Sequence, residues 1–127
     1  MPNMSELGFL AARETPRDRA EATRLAESLG RRSDVVVTMG ALGALVVPRE
    51  GEVTHVEAPV TEAVDTTGAG DCFCGALAVG LAEGRDLVAC VRFAVVAAAL
   101  STTARGARAG LPTRELVDAG LLSRSLT

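Results

Sequence analysis

A chain of 127 residues that is 48% hydrophobic and 23% charged can bury a core of its own, which excludes a disordered tail and makes one domain the starting expectation. A net charge of −3 and an aromatic share of 2%, with no Trp or Tyr, exclude a nucleic-acid binder, because neither a basic face nor stacking platforms are available. All thirteen cationic residues are Arg, so a Walker-type nucleotide site, which needs a lysine at its phosphates, is excluded as well.

In chain order, Thr15-Pro16-Arg17-Asp18 offers a helix cap, a proline at the first helical position and an acid in the first turn. Ala20, Leu25, Ala26 and Leu29 then recur at helical spacing and Gly30 supplies a stop, which predicts a surface helix over 16–29. The continuous β-branched run from Asp34 to Thr38 predicts a strand covered on both faces. It ends at Met39-Gly40-Ala41-Leu42-Gly43, a turn that opens into a second strand, Ala44 to Pro48. Arg49 to Glu52 is a polar hairpin turn, and Val53 to Ala58 alternates as a third strand antiparallel to the second. The single histidine, His55, falls in that third strand and cannot build a multi-histidine zinc site.

After a loop over 59–70, a helix is expected over 71–82 and another over 86–103. The second of these is rich in Ala and Val on almost every face, so it should be buried nearly all round. Arg105 to Gly110 reads as a loop, and Pro112-Thr113 leads into a last helix over 114–120. Cys72, Cys74 and Cys90 are an odd set within apolar helical stretches and read as buried free thiols of a reducing compartment, ahead of metal or redox chemistry. The most apolar run, Leu87 to Leu100, is interrupted by Arg92 and is short for a bilayer, and no signal-peptide layout is present, so a cytoplasmic protein is expected. The order of elements is that of an α/β layer fold.

The chemistry concentrates at Gly68-Ala69-Gly70-Asp71, directly before an apolar helix. Backbone N–H groups at a helix start lack intrahelical partners and can converge on an anion, and the helix dipole favours that anion by roughly 0.3–2 kcal/mol. Glycines let the backbone approach a phosphate with no Cβ in the way. An aspartate beside such a site repels the phosphate, so either it has a task, such as accepting a proton from an attacking hydroxyl, or it merely caps the helix. These four residues alone leave both readings open.

The longer run from Asp65-Thr66-Thr67 through Asp71-Cys72-Phe73-Cys74-Gly75-Ala76 resembles the C-terminal signature of the ribokinase-like carbohydrate kinases, the PfkB family. Val37-Thr38-Met39-Gly40-Ala41-Leu42-Gly43-Ala44 is similar to that family's nucleotide-contacting strand and turn, and Asn3-Met4-Ser5-Glu6 to its Asn-x-x-Glu element. Arg92-Phe93-Ala94 through Ser101, with Arg105-Gly106-Ala107, resembles its next helix and closing loop, so the likeness covers nearly the whole chain. The resemblance implies ATP-dependent phosphorylation of a sugar hydroxyl. By it, Asp71 is the catalytic base, and Gly68, Ala69 and Gly70 form the anion hole. Asn3, Thr38, Gly40 and Gly43 contact the nucleotide, and Glu6 acts on magnesium through water. A monovalent cation such as potassium is implied at Asp65, Thr67, Ser101, Ala104 and Gly106, largely through backbone carbonyls. Val95 and Gly110 depart from residues that some relatives place near the nucleotide and the cation.

Members of that family are roughly twice this long, and their first half carries most of the sugar-binding residues and the lid. The expectation is therefore a single partial domain over 1–127: the C-terminal part of a ribokinase-like three-layer α/β/α fold, with helices on a partial sheet that includes a β-hairpin. Its exposed sheet edge should favour self-association or a missing N-terminal half, with ATP and a small sugar-like alcohol as ligands. A nucleoside or vitamin-type alcohol kinase of the same superfamily, and a non-catalytic binding or assembly module, are the competing readings.

Overall fold

The structure, a computed structural model, describes residues 17–28, 33–103 and 112–121. Its internal contacts divide the chain into two compact units, Met1–Val56 and Glu57–Thr127.

In the first unit, helix α1 covers Arg19–Ser28. Asp18 stands one residue before it and accepts the Glu21 N–H at 2.9 Å through its carboxylate, so the acid expected inside the first turn is the cap itself. Thr15, Pro16, Leu29 and Gly30 lie outside the described residues. Ala22 and Ala26, one turn apart, present a small-residue stripe that is fully buried.

That stripe packs on a sheet of three strands, β1 (Val35–Thr38), β2 (Ala44–Val47) and β3 (Thr54–Val56), in the order β1-β2-β3. Both pairings are antiparallel, with Val35 opposite Val47, Val37 opposite Leu45, and Leu45 opposite His55. Val37, Leu45 and Val47 join Met39, Ala22 and Ala26 in one core cluster. On the other face Val36, Val46 and Val56 are buried too, as the β-branched run requires. The third strand is shorter than the 53–58 expected. β2 begins at Ala44, after the turn at Gly40–Leu42, so residues beyond Val56 have no strand to pair with.

The second unit is built of helices α2 (Ala69–Ala82), α3 (Leu87–Ser101) and α4 (Arg114–Leu121). α2 starts two residues before the expected position, with Gly68 as its cap in the left-handed region at φ 78°. α2 and α3 are joined by Glu83 to Asp86; Gly84 has φ 77°, and Asp86 caps α3 by accepting the Ala89 N–H at 2.9 Å. The two helices approach closely: a Cβ placed on Gly80 would stand 2.8 Å from the Cys90 sulfur. Cys72, Phe93, Val96, Ala97 and Val117 form the core of this unit. α3 is buried along most of its length, as its composition predicts, with Arg92 left exposed.

The start of α4 is held by charge. Arg114 gives two hydrogen bonds to the Glu83 carboxylate, one of 2.7 Å, and Glu83 also pairs with Arg85 at 3.5 Å. The two guanidiniums lie against the Phe93 ring, 5.6 Å and 5.4 Å from its centre. Arg114 holds the Glu83 carboxyl below the ordinary range, and Glu83 in turn raises Arg114. Helix α1 on a small antiparallel sheet, followed by a unit of helices, is the α/β class the sequence predicts. No described helix is long and apolar enough to cross a membrane.

Candidate functional site

The glycine-rich turn is positioned by the end of α3. The amides of Val64 and Asp65 both donate to the Thr102 carbonyl, at 2.6 Å and 3.0 Å, which anchors the loop on its entry side. The Asp65 carboxylate then accepts the Thr67 N–H at 2.9 Å, closing an Asx turn that leads into Gly68. Because Gly68 is left-handed, the chain reverses into α2 within one residue, a conformation that costs any L side chain roughly 1–2 kcal/mol.

The next residues place the amides. Cys72 donates the first helical bond, to the Gly68 carbonyl at 2.9 Å, so Ala69, Gly70 and Asp71 form the first turn, whose N–H groups have no intrahelical acceptor. The Ala69 amide leans back on the Thr66 carbonyl at 3.2 Å, a long bond. The amides of Gly68, Gly70 and Asp71 find no acceptor among the described residues. Gly70 is exposed, and a Cβ there would meet nothing within 4 Å, so space is open in front of the backbone. Asp71 is exposed, and its carboxylate makes no hydrogen bond or ion pair among the described residues. In particular it does not cap its own helix, the bland alternative for this residue, since the capping position is Gly68. An exposed helix start with unpaired amides and a bare carboxylate beside them can hold an anion and accept a proton.

Two inert thiols and a buried hydroxyl lie in the same unit, Cys72 in the first full turn of α2 and Cys90 packed against its far end at Gly80. Ser101 is 3% exposed and gives its proton to the Ala98 carbonyl at 2.7 Å. Burial pushes the Cys72 thiol up, partly offset by the Ser101 side chain, and burial raises Cys90 as well. Neutral buried thiols are poor nucleophiles, and all three cysteines are free as expected, but Cys74 is exposed where the apolar stretch predicted burial.

In the first unit, Thr38 ends β1 and pairs with Ala44, and the chain turns through a single 3-10 turn, Gly40–Leu42. Gly40 and Gly43 have φ 56° and 92°, values that favour glycine, which explains both at this spacing. The turn is cross-braced: Met39 donates to the Gly43 carbonyl at 2.8 Å, Leu42 to Met39 at 3.1 Å and Gly43 to Gly40 at 3.0 Å.

Of the remaining predicted site residues, Asp65, Thr67 and Ser101 all lie in the second unit, whereas Asn3, Glu6, Ala104, Gly106 and Gly110 are outside the described residues. Val95 is buried within α3. Among the described residues no group of three or more His, Cys, Asp or Glu could hold a metal ion. Sequence reasoning missed the Thr102 carbonyl that anchors the turn, and it gave no role to His55, whose ring donates to the Leu42 carbonyl at 2.6 Å and accepts from Arg19 at 2.9 Å.

The sequence model of the pfkB family carbohydrate kinases matches residues 1–114. Ribokinase of Bacillus subtilis is 49% identical over 82 residues, which are 65% of this chain and 28% of the relative. Ribokinase of Arabidopsis thaliana is 37% identical over 119 residues, 91% of this chain and 31% of the relative. The solved structure of the Arabidopsis thaliana ribokinase complexed with ribose and ATP superposes with a TM-score of 0.84 at 31% identity, over 94% of this chain and 39% of that one. Phosphofructokinase-2 of Escherichia coli in complex with potassium superposes at 0.83, also at 31% identity, over 95% of this chain and 39% of that one. The chain thus spans under a third of the length of these two curated relatives.

Proposed function

The chain belongs to the pfkB family of carbohydrate kinases, and from that premise we propose that it supplies the anion hole, catalytic base and nucleotide contacts of an ATP-dependent sugar kinase. The observation that carries the reading is the start of α2, where, among the described residues, the amides of Gly70 and Asp71 lack acceptors and the exposed Asp71 carboxylate has no partner.

In the proposed step the substrate hydroxyl gives its proton to Asp71 as its oxygen bonds to the γ-phosphorus and the bond to the bridging oxygen of ADP breaks. Charge builds on the equatorial phosphoryl oxygens, and the amides at 68–71 stabilise it without reorganising, because the helix already fixes them. Thr38, Gly40 and Gly43 contact the nucleotide. Magnesium would neutralise charge on the transferring phosphoryl group, and the family resemblance assigns Glu6 to it, through water, with Asn3 near the phosphates. A monovalent cation such as potassium would be held at Asp65, Thr67, Ser101, Ala104 and Gly106, the positions the resemblance implies, largely through backbone carbonyls. ATP and ribose in the Arabidopsis neighbour, and potassium in the bacterial one, support these ligands here. The sugar contacts and lid would fall to a further, N-terminal half, and β1, an edge strand among the described residues, offers the place where that half or a second copy would pair.

Two measurements test the reading. Isothermal titration with magnesium and ATP should give binding in the millimolar range or tighter; no heat at millimolar nucleotide favours a non-catalytic assembly module instead. Coupled assay of ADP formation against a panel of sugars, nucleosides and vitamin-type alcohols, in a form of the protein that carries the sugar-binding half, then separates a sugar kinase from its superfamily relatives.

A further inference from the structure

We infer that His55 is a positioning residue that fixes the carbonyl of the nucleotide turn, an assignment that rests on reading residues 38–43 as that turn. The turn braces itself with three backbone bonds, at Met39, Leu42 and Gly43. The Leu42 carbonyl takes part in none of them and is held from outside, by the His55 ring at 2.6 Å. The register makes this possible: His55 lies opposite Leu45, hence on the α1 face of the sheet, next to the strand that emerges from the turn. From α1, Arg19 reaches the other ring nitrogen at 2.9 Å.

Arginine can only donate, so Nδ1 carries the lone pair and Nε2 carries the proton that it gives to Leu42. Both nitrogens are thereby committed, and the ring has no proton to exchange with a substrate. What it does instead is tie three elements, α1, β3 and the turn, through one neutral tautomer. His55 and Arg19 are partly exposed and exposed respectively, so this relay adds little to global stability. Its effect falls on the orientation of the turn, and so on any ligand the turn contacts.

The test compares the wild-type chain with His55→Ala and His55→Gln by isothermal titration with magnesium and ATP, alongside amide hydrogen exchange at Met39 and Gly43, with Val37 and Val46 in the ladder as internal reference. His55→Ala should weaken nucleotide binding roughly five- to tenfold, the size of one lost hydrogen bond, and speed exchange at Met39 and Gly43 while the ladder stays protected. Gln can donate from its amide nitrogen to Leu42 and accept from Arg19, so His55→Gln should restore both. Wild-type affinity and exchange in His55→Ala overturn the assignment, as does a Gln variant no better than Ala. A wild-type chain that binds no nucleotide overturns the reading of 38–43 itself, and the inference with it. Should the Ala variant lose its ladder, the ring 15N shifts of the wild type decide: a protonated Nε2 beside a bare Nδ1 supports the relay, and a proton on Nδ1 overturns it.

Discussion

The turn at Gly40–Leu42 and the turn that opens α2 use the same device, left-handed glycine, to opposite ends. In the first, three amides are paired within the turn and the Leu42 carbonyl is held by His55. In the second, the entry is pinned by Thr102 and by the Asp65 side chain, yet the amides of Gly70 and Asp71 have no acceptor among the described residues. A closed turn is a scaffold. An open one, fixed from behind and bare in front, is where binding free energy can be gained, because an anion supplies the hydrogen bonds the fold leaves unmade.

The sharpest break of that comparison is at the carboxylate. In any form of the protein that transfers phosphate, Asp71→Asn should cut turnover by roughly 10²–10⁴ while nucleotide affinity stays near the wild-type value. Steady-state kinetics with a parallel binding titration check this, and unchanged turnover removes Asp71 from the mechanism. Next comes Gly70→Ala. A methyl there meets nothing in the protein, so thermal unfolding should be unchanged or slightly raised. It should nonetheless weaken nucleotide binding by about 1.5–3 kcal/mol, the loss of one charge-assisted bond. A variant both stable and competent would show that the glycine is not kept for phosphate.

Gly80→Ala tests the opposite kind of glycine. Its methyl would meet the Cys90 sulfur at 2.8 Å, with Cys90 Cβ and Cα close behind, so overpacking should cost about 1–3 kcal/mol in a thermal or denaturant melt. Adding Cys90→Ala should recover part of that loss, because the sulfur leaves the space the methyl needs. The smallest effect belongs to the Glu83 and Arg114 pair. Arg114 lowers the Glu83 carboxyl in the folded state, so the stabilisation is present above the unfolded carboxylate value and disappears as pH falls through the folded one. A melt series over acidic pH should show a slope that Glu83→Gln flattens, modestly, since both partners are largely solvated.

Much of this architecture was legible in the residues. The run Val35-Val36-Val37 dictates a strand buried on both faces, and the Ala- and Val-rich stretch dictates a buried helix, since neither has a polar face to show water. Boundaries were less so. Gly68-Ala69-Gly70 reads as loop because glycine disfavours helix by about 1 kcal/mol per residue. The helix starts there all the same, since only Gly68 needs the left-handed region and Gly70 has an ordinary helical one. Asp18 reads as a first-turn acid because Thr15-Pro16 also resembles a cap, and only the bond to Glu21 separates the two.

The site divides the same way. The glycines and Asp71 announce themselves locally, because their chemistry depends on neighbours in sequence. The part played by His55 depends on Arg19, thirty-six residues away, and on a carbonyl any residue could offer, so no local pattern carries it. Its one trace is a lone histidine on the helix-facing side of a strand. The supporting contact from Thr102 is likewise made by backbone and leaves no mark on composition.

The account turns on the amides at the start of α2, and a titration followed by 15N–1H correlation spectra observes them directly. On addition of magnesium and ATP to the wild-type chain, the amide signals of Gly70 and Asp71 should move most within the helical unit, and Gly70→Ala should abolish the movement. Signals at these two positions that stay still while nucleotide is bound elsewhere, or amides protected from exchange before any nucleotide is present, would contradict it.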